Sequence, residues 1–234
     1  MSAPLTAAAV QSMGVAKLQA ELTTKIQRLH LFKAPMTAAI PEAITGMSAD
    51  TTPVVELLEL DVADGWVDMG LIGSDDAPTW SRDMETEDLN AIGFRDAVRT
   101  EITSDVANLT ATLLEKNRHV IETYDNVDLS GVTPNPDTGE IKWIRPSDAP
   151  LIKSRYAAYG QDGSGADRVW MVKILTAGVI DSVDDQTWGG EGFLSYPITL
   201  KGLVDTDAGT SMITYMGGPG VKANLVAMGF GTTP

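Results

Sequence analysis

The sequence predicts a mainly β fold, a β-sandwich or barrel-like domain with one short flanking helix, on three observations. After Pro53, strand-length segments recur between clusters of Gly, Asp, Asn and Pro. Several of these segments alternate apolar and polar residues with a period of two, as a half-buried strand must. The chain has 234 residues, 43% of them hydrophobic, and no cysteine, so a sizeable core must stand on packing and assembly without disulfides or thiolate metal clusters.

The first tract, "AAAVQSMGVAKLQAELTTKIQRLHLF", spaces Val15, Leu18, Leu22 and Ile26 at three- and four-residue intervals. It reads either as an amphipathic helix or as an arm that orders only against a neighbouring subunit; Gly14 and Thr23-Thr24 weaken the helix. "LHLFKAP" is a short strand halted by Pro35, and a turn-rich excursion with Pro41 and Pro53 follows. Next come "VVELLEL", "WVDMGLI", and the long polar pair "WSRDMETEDL" and "AVRTEITSDVANLTATLLE". In the last of these Val98, Ile102 and Val106 are assigned to the core. The apolar set then changes phase to Leu109, Ala111 and Leu113, which predicts a bulge at Val106-Ala107. "NRHVIETYDNVD" predicts a short helix with Val120, Tyr124 and Val127 on one side, and "GVTPNPDTGE" a loop. Strands resume with "IKWIRP", "LIKSRYAAYG", "RVWMVKILTAGVI", "FLSYPITLKGLV" and "SMITYM". Pro197 argues for an edge position in the fourth, and Asp205 to Gly209 for a hairpin turn. The organisation predicted is an N-terminal arm and first strand over residues 1–50, a β-domain over 51–220 and a C-terminal extension over 221–234.

Composition narrows the function classes. A formal net charge of -15 and a pI near 4.4 disfavour equilibrium binding to nucleic acid or to an anionic membrane, which need clustered Lys and Arg. No apolar run approaches the about 18 residues of a membrane span, and "MSAPLTAAAVQS" lacks a basic flank before an apolar core, so the expectation is a protein that stays in the cytoplasm where it is made. Two histidines, His30 and His119, have no cysteine to partner them, and His-Glu-x-x-His and Gly-x-Ser-x-Gly are absent; no enzyme and no cofactor is predicted. His119 with Glu122 has the spacing of half a metal site, but a helix-surface pair is the stronger reading. The glycines around Ser164 and at 217–220 lack a phosphate-loop lysine and read as turns, as does "DTDAGT", which lacks the closing glutamate of a calcium loop.

The charge is unevenly placed. Between Thr51 and Thr110 stand fourteen acids against three arginines, Arg82, Arg95 and Arg99. Solvated strand faces explain this blandly. The sharper reading is a wall to which another polyanion must not adhere. Parity groups Asp83, Glu85 and Glu87 with Glu101, Thr103 and Asp105 on one face, opposite Val98, Ile102 and Val106.

The ordered set "LFKAP", "AAIPEA", "GWVDMGLIGSDD", "DAVRTEITSDVANLTATLLEKN", "RYAAYGQDG", "RVWMVKILTAGVI" and "YMGGPG" resembles the major tail tube proteins of long, non-contractile-tailed bacteriophages, particularly those of actinobacteria. The resemblance spans residues 29–220 and departs at the N-terminal tract and at "NVDLSGVTPNPDTGE". It implies a virion protein of the viral tail, assembled in host cytoplasm as stacked hexameric rings. The inner strands of such rings join into one β-barrel around the channel for DNA. The partners implied are further copies, a tape measure protein, a tail terminator and a baseplate or distal tail protein, with no membrane. In that frame the acidic face lines the lumen, Asp75 and Asp76 lie in a turn or inter-ring contact, and Trp66, Trp80 and Tyr196 anchor the core. A plain hairpin with core tryptophans accounts for the same residues in any β-protein. A rival of another class is a decoration or baseplate-type β-sandwich that binds carbohydrate or another virion protein, for which exposed, clustered Trp66, Trp143 or Trp188 would speak.

Overall fold

The computed structural model describes residues 19, 22–51, 53–60, 62–74, 77–148, 150–189 and 191–231. The N-terminal tract before residue 19, and Asp75 and Asp76, therefore lie outside the described residues. Among the described residues ten strands carry the fold: β1 (Arg28–Pro35), β2 (Thr45–Met47), β3 (Val55–Leu57), β4 (Val67–Asp68), β5 (Thr79–Leu89), β6 (Arg99–Leu113), β7 (Ser154–Asp162), β8 (Val169–Val183), β9 (Tyr196–Leu203) and β10 (Met212–Gly217). Two α-helices accompany them among the described residues, α1 (Arg118–Asp125) and α2 (Pro219–Asn224).

Eight strands form one antiparallel sheet in the order β4-β1-β7-β8-β9-β6-β5, with β10 also on β8; β2 and β3 pair separately. The sheet closes on itself through residues 67–73. Their first part pairs with β1, where Phe32 faces Asp68 and the Met69 amide donates to the Leu31 carbonyl at 2.8 Å. Their last part pairs with β6, where Ile72 bridges Leu113 and the Gly73 amide donates to Thr112 at 2.8 Å. A small barrel of β1, β7, β8, β9, β6 and this connector results, and closure removes the edges that an open sheet would leave. Leu31, Leu109, Leu113, Tyr156, Leu175, Ile198 and Leu200 fill its interior. These are the inward residues that a two-residue period selects, as the strict alternation of burial along Tyr196–Leu203 demonstrates.

One end of the barrel is closed by α1. Asn117 caps the helix, its side-chain oxygen accepting the Val120 amide at 3.0 Å, and Asn126 ends it in the left-handed region at φ 51°. Val120 enters the interior, and Tyr124 stacks edge-on against Tyr196 at 5.6 Å between centroids. The outer face of β1, β7 and β8 carries a second cluster of Ala34, Ala38, Ile44, Trp66, Trp170 and Ile174, covered by the excursion that bears β2 and β3.

Several expectations are corrected. Pro197 is not on an edge: β9 lies between β6 and β8. Its carbonyl accepts the Asp184 amide at 3.2 Å, so the side on which its own N–H is missing faces the chain just past the end of β8. Asp205 to Gly209 does turn, with the Gly209 amide donating to the Asp205 carbonyl at 2.8 Å and Gly209 at φ 68°. An antiparallel bridge between Asp205 and Thr210 closes the turn, the Asp205 amide donating to the Thr210 carbonyl at 3.1 Å, but the hairpin stops at that bridge, because β9 and β10 go on to pair with successive parts of β8. "IKWIRP" forms no strand, and the glycines at 217–218 lead into α2 instead of a simple turn.

Candidate assembly surface

The long pair β5–β6 outgrows the barrel. Asn108 to Leu113 of β6 pair with β9, whereas Arg99 to Ala107 pair with β5 alone. Nine residues of β5 beyond Trp80 are exposed, which makes a two-stranded rod about 30 Å long at the strand rise per residue. Its tip turns at Gly93, φ 95°, and holds Ile92 at 105% and Phe94 at 70% exposure. A free hairpin of this kind is marginal in water and offers unpaired backbone on both edges.

The register decides which side chains share a face. Glu85 pairs with Ser104 and Thr86 with Ile102, leaving Thr103 as the extra residue of a bulge. The bulge therefore sits at Thr103 and not at Val106-Ala107. Cross-strand partners share a face, so Asp83, Glu85, Glu87 and Glu101 stand together with Val106, Ser104 and Arg99. Asp105 does not join them: it pairs with Met84 and lies on the opposite face, which continues Trp80 and Leu109 outward from the core. There Arg82 grips it with two hydrogen bonds, Nε to Oδ1 at 2.7 Å and Nη2 to Oδ2 at 2.6 Å. The Arg82 hydrogen bonds hold the Asp105 carboxyl below the usual carboxylate range, and Asp105 in turn raises Arg82. Val98 and Ile102, assigned to the core from the sequence, are exposed, because the rod leaves the core before it reaches them.

On the acidic face Glu87 and Glu101 oppose each other directly, an arrangement that destabilises a hairpin. Arg99, 2.7 Å from Glu101, offsets it, and the Asn108 side-chain amide donates to Asp83 on the same face at 2.6 Å. Trp66 and Tyr196 are buried as core anchors, but in different clusters, and the Trp66 indole donates to the Ala39 carbonyl at 3.2 Å. Trp80 is half-buried, with the Lys173 ammonium 5.2 Å above its ring. Trp170, which sequence reasoning did not single out, is more deeply buried than Trp80, and Arg168 stacks on it.

Trp66, Trp143 and Trp188 do not make an exposed cluster: the first is buried, the second donates to Asp125 at 2.8 Å, and only Trp188 is broadly open, at 84%. His119 and Glu122 are not a surface pair. Glu122 is 11% exposed and takes Lys33 at 3.3 Å, Arg118 at 3.3 Å and His119 at 3.5 Å, pinning α1 to β1. Burial holds Lys33 below its ordinary value despite Glu122, and holds His119 below its own. Among the described residues no group of three His, Asp or Glu side chains could hold a metal ion, and no helix is long and apolar enough to cross a membrane. No protein-family model matches the sequence, and comparison with the curated proteins finds no match.

Proposed function

We propose that the protein is a structural subunit that assembles through its β5–β6 rod into stacked hexameric rings, as the major tail tube protein of a long-tailed bacteriophage. The observation that carries this reading is the rod itself, a hairpin too long, too exposed and too acidic on one face to serve the subunit that bears it. Side by side, six rods would satisfy each other's edges and continue into one barrel. Asp83, Glu85, Glu87 and Glu101 would then line the lumen, where DNA slides past fixed negative charge without being held. The action is passive and requires neither a cofactor nor a reacting group. The tape measure protein, terminator and distal tail protein follow from the same proposal, as does a place in the virion tail.

Replacing residues 83–106 by a two-residue Asn-Gly turn between the paired Arg82 and Ala107 tests it. The intact chain is expected to form rings or tubes of sixfold symmetry by negative-stain microscopy. The shortened chain is expected to keep its circular dichroism and remain monomeric. An intact chain that sediments as a monomer at every salt and protein concentration would end the tube reading.

A further inference from the structure

Strand β6 carries an apolar surface at each of its ends. At its start the rod turns through residues 90–98, and the turn presents Ile92 and Phe94 to water. It is a held conformation: the Phe94 amide donates to the Ala91 carbonyl at 3.2 Å and the Val98 amide to the Leu89 carbonyl at 3.0 Å. At the finish of β6, Leu113 pairs with Tyr196, so the link from β8 to β9, residues 184–195, lies there on the α1 side of the barrel. This link holds Trp188 and Phe193, both 84% exposed. Phe193 and Leu194, with Leu114, Asn117 and Tyr196, line a hollow of about 440 Å³, in which Glu115 and Lys116 balance each other's charge. Apolar side chains gathered on a surface in this way mark a site of interaction.

We propose that the rod tip of one copy docks at the α1 end of a second copy, Ile92 and Phe94 meeting Trp188, Phe193 and Leu194, so that copies join head to tail. The inference rests on the assembly proposed above and adds to it the contact between one ring and the next. Distance makes the occupant a second copy. The 15 residues of β6 hold the two surfaces about 45 Å apart, so a tip cannot reach the hollow of its own chain. Chemistry matches, because both surfaces centre on exposed aromatic side chains, which anchor interfaces when they are buried. Charge matches as well. Residues 184–195 carry Asp184, Asp185 and Glu191 and no cation, whereas residues 90–99 carry Arg95 and Arg99 against Asp96, in a chain of net charge -15. Arg99 already pairs with Glu101 at 2.7 Å, so Arg95 is the cation that meets the three acids. A contact between unlike patches at opposite ends of a subunit leaves one of each free after every addition, and so it repeats along a stack.

The chain has no cysteine, so a single thiol can be placed at each surface. One chain carries Ala91→Cys beside the tip, and another Gly192→Cys, where a Cβ meets nothing within 4 Å. Equal amounts are mixed and treated with a short bismaleimide, and the dimers are told apart by mass. The mixed dimer is expected to exceed each like dimer roughly tenfold. Ile92→Asp with Phe94→Asp in the tip-bearing chain should abolish that excess and Arg95→Glu should reduce it, with circular dichroism unchanged because all three positions are exposed. Random pairing, an excess that survives the double aspartate change, or an excess of tip-to-tip dimers would overturn the inference. Microscopy separates it from the tube reading. The double aspartate chain leaves the strand edges of the rod intact and is expected to give single rings where the parent gives tubes. Tubes of the parent's length from that chain would overturn the head-to-tail contact and leave the tube standing. A parent that forms no rings would end the tube reading, and the cross-linking ratio alone would then decide the contact.

Discussion

At the residue scale, Tyr156 shows how one side chain couples the barrel to pH. Its ring lies in the interior, 2% exposed, with its hydroxyl 3.4 Å from that of Thr123 on α1. Burial pushes its pKa up from 10.0 to about 12, because a phenolate there would lose its hydration. The folded value lies above the unfolded one, so the stability it contributes is complete below pH 10 and is lost as pH rises from 10 towards 12, while the unfolded chain ionises first. The amount at stake is on the order of 2–3 kcal/mol. Tyr159, also raised to about 12 by burial, acts in the same direction. Tyr156→Phe should therefore flatten the fall of the denaturation midpoint between pH 10 and 12 while leaving the profile from pH 7 to 9 parallel to that of the parent. Superimposable alkaline profiles would mean that Tyr156 is not the group responsible.

At the element scale, the crossing of β7, β8 and β9 depends on two glycines that face each other, Gly178 of β8 and Gly202 of β9. A Cβ on Gly178 would stand 2.5 Å from Cδ2 and 3.0 Å from Cε2 of the Tyr156 ring, which is packed on all sides and cannot retreat. A Cβ on Gly202 would meet Cδ2 of Leu175 at 3.0 Å and the Ala107 carbonyl oxygen at 3.1 Å, a milder conflict because neither approach is as short as the 2.5 Å at Gly178. Gly178→Ala should cost about 1–3 kcal/mol by overpacking. Gly202→Ala should cost less, and chemical denaturation would rank them; Tyr156→Leu in the same chain should shrink the Gly178→Ala penalty.

The elements also separate what sequence can say from what it cannot. Strand-length apolar runs between turn residues made β1, the inner half of β6, β7, β8 and β9 legible, with burial that alternates strictly in β9 and runs continuously through the middle of β7 and β8, and the Asn117 start and 3.6-residue spacing made α1 legible. In each of these a buried face specifies the register. The outer half of β6 has no buried face. There Val98, Ile102 and Val106 carried no information about inside or outside, and the bulge was read three residues from Thr103, where the ladder places it. Four of the six residues grouped on the acidic face share one face of the rod, Asp83, Glu85 and Glu87 on the uninterrupted β5 and Glu101 opposite Glu87, while Asp105 lies on the other face and Thr103 is the extra residue of the bulge. The apolar alternation of "IKWIRP" suggested a strand, but a strand needs a neighbour to bond, and among the described residues none pairs with it. Glu122 was visible as a helical residue next to His119. Its burial against Lys33 was not, because that contact joins positions 89 residues apart.

At the scale of the whole molecule, the distribution of charge bears on the proposed assembly and on the passage of DNA it would allow. Fourteen acids against three arginines between residues 51 and 110 account for most of the net charge of -15, and four of those acids stand on one face of the rod. If six such faces surround a channel, the wall repels phosphates over roughly a Debye length, about 8 Å at physiological salt, which is a short distance on the scale of a duplex. Changing Asp83, Glu85, Glu87 and Glu101 together to lysine adds two charges at each position and takes the chain from -15 to -7. The side chains are solvent-exposed and the directly opposed pair Glu87–Glu101 becomes an opposed lysine pair, so the barrel should keep its denaturation midpoint within a few degrees. The assembled variant should acquire duplex DNA binding that weakens steeply with salt, the mark of counterion release, whereas the parent should bind none. The control reverses the same number of exposed acids elsewhere, at Glu42, Asp50, Glu56 and Glu59, and reaches the same net charge. DNA retained by the rod variant and not by the control, measured by filter binding and by ejection from tails built with each, would place the face on the lumen. Equal retention by both would show that net charge alone governs adhesion and that the rod's acidic face points elsewhere.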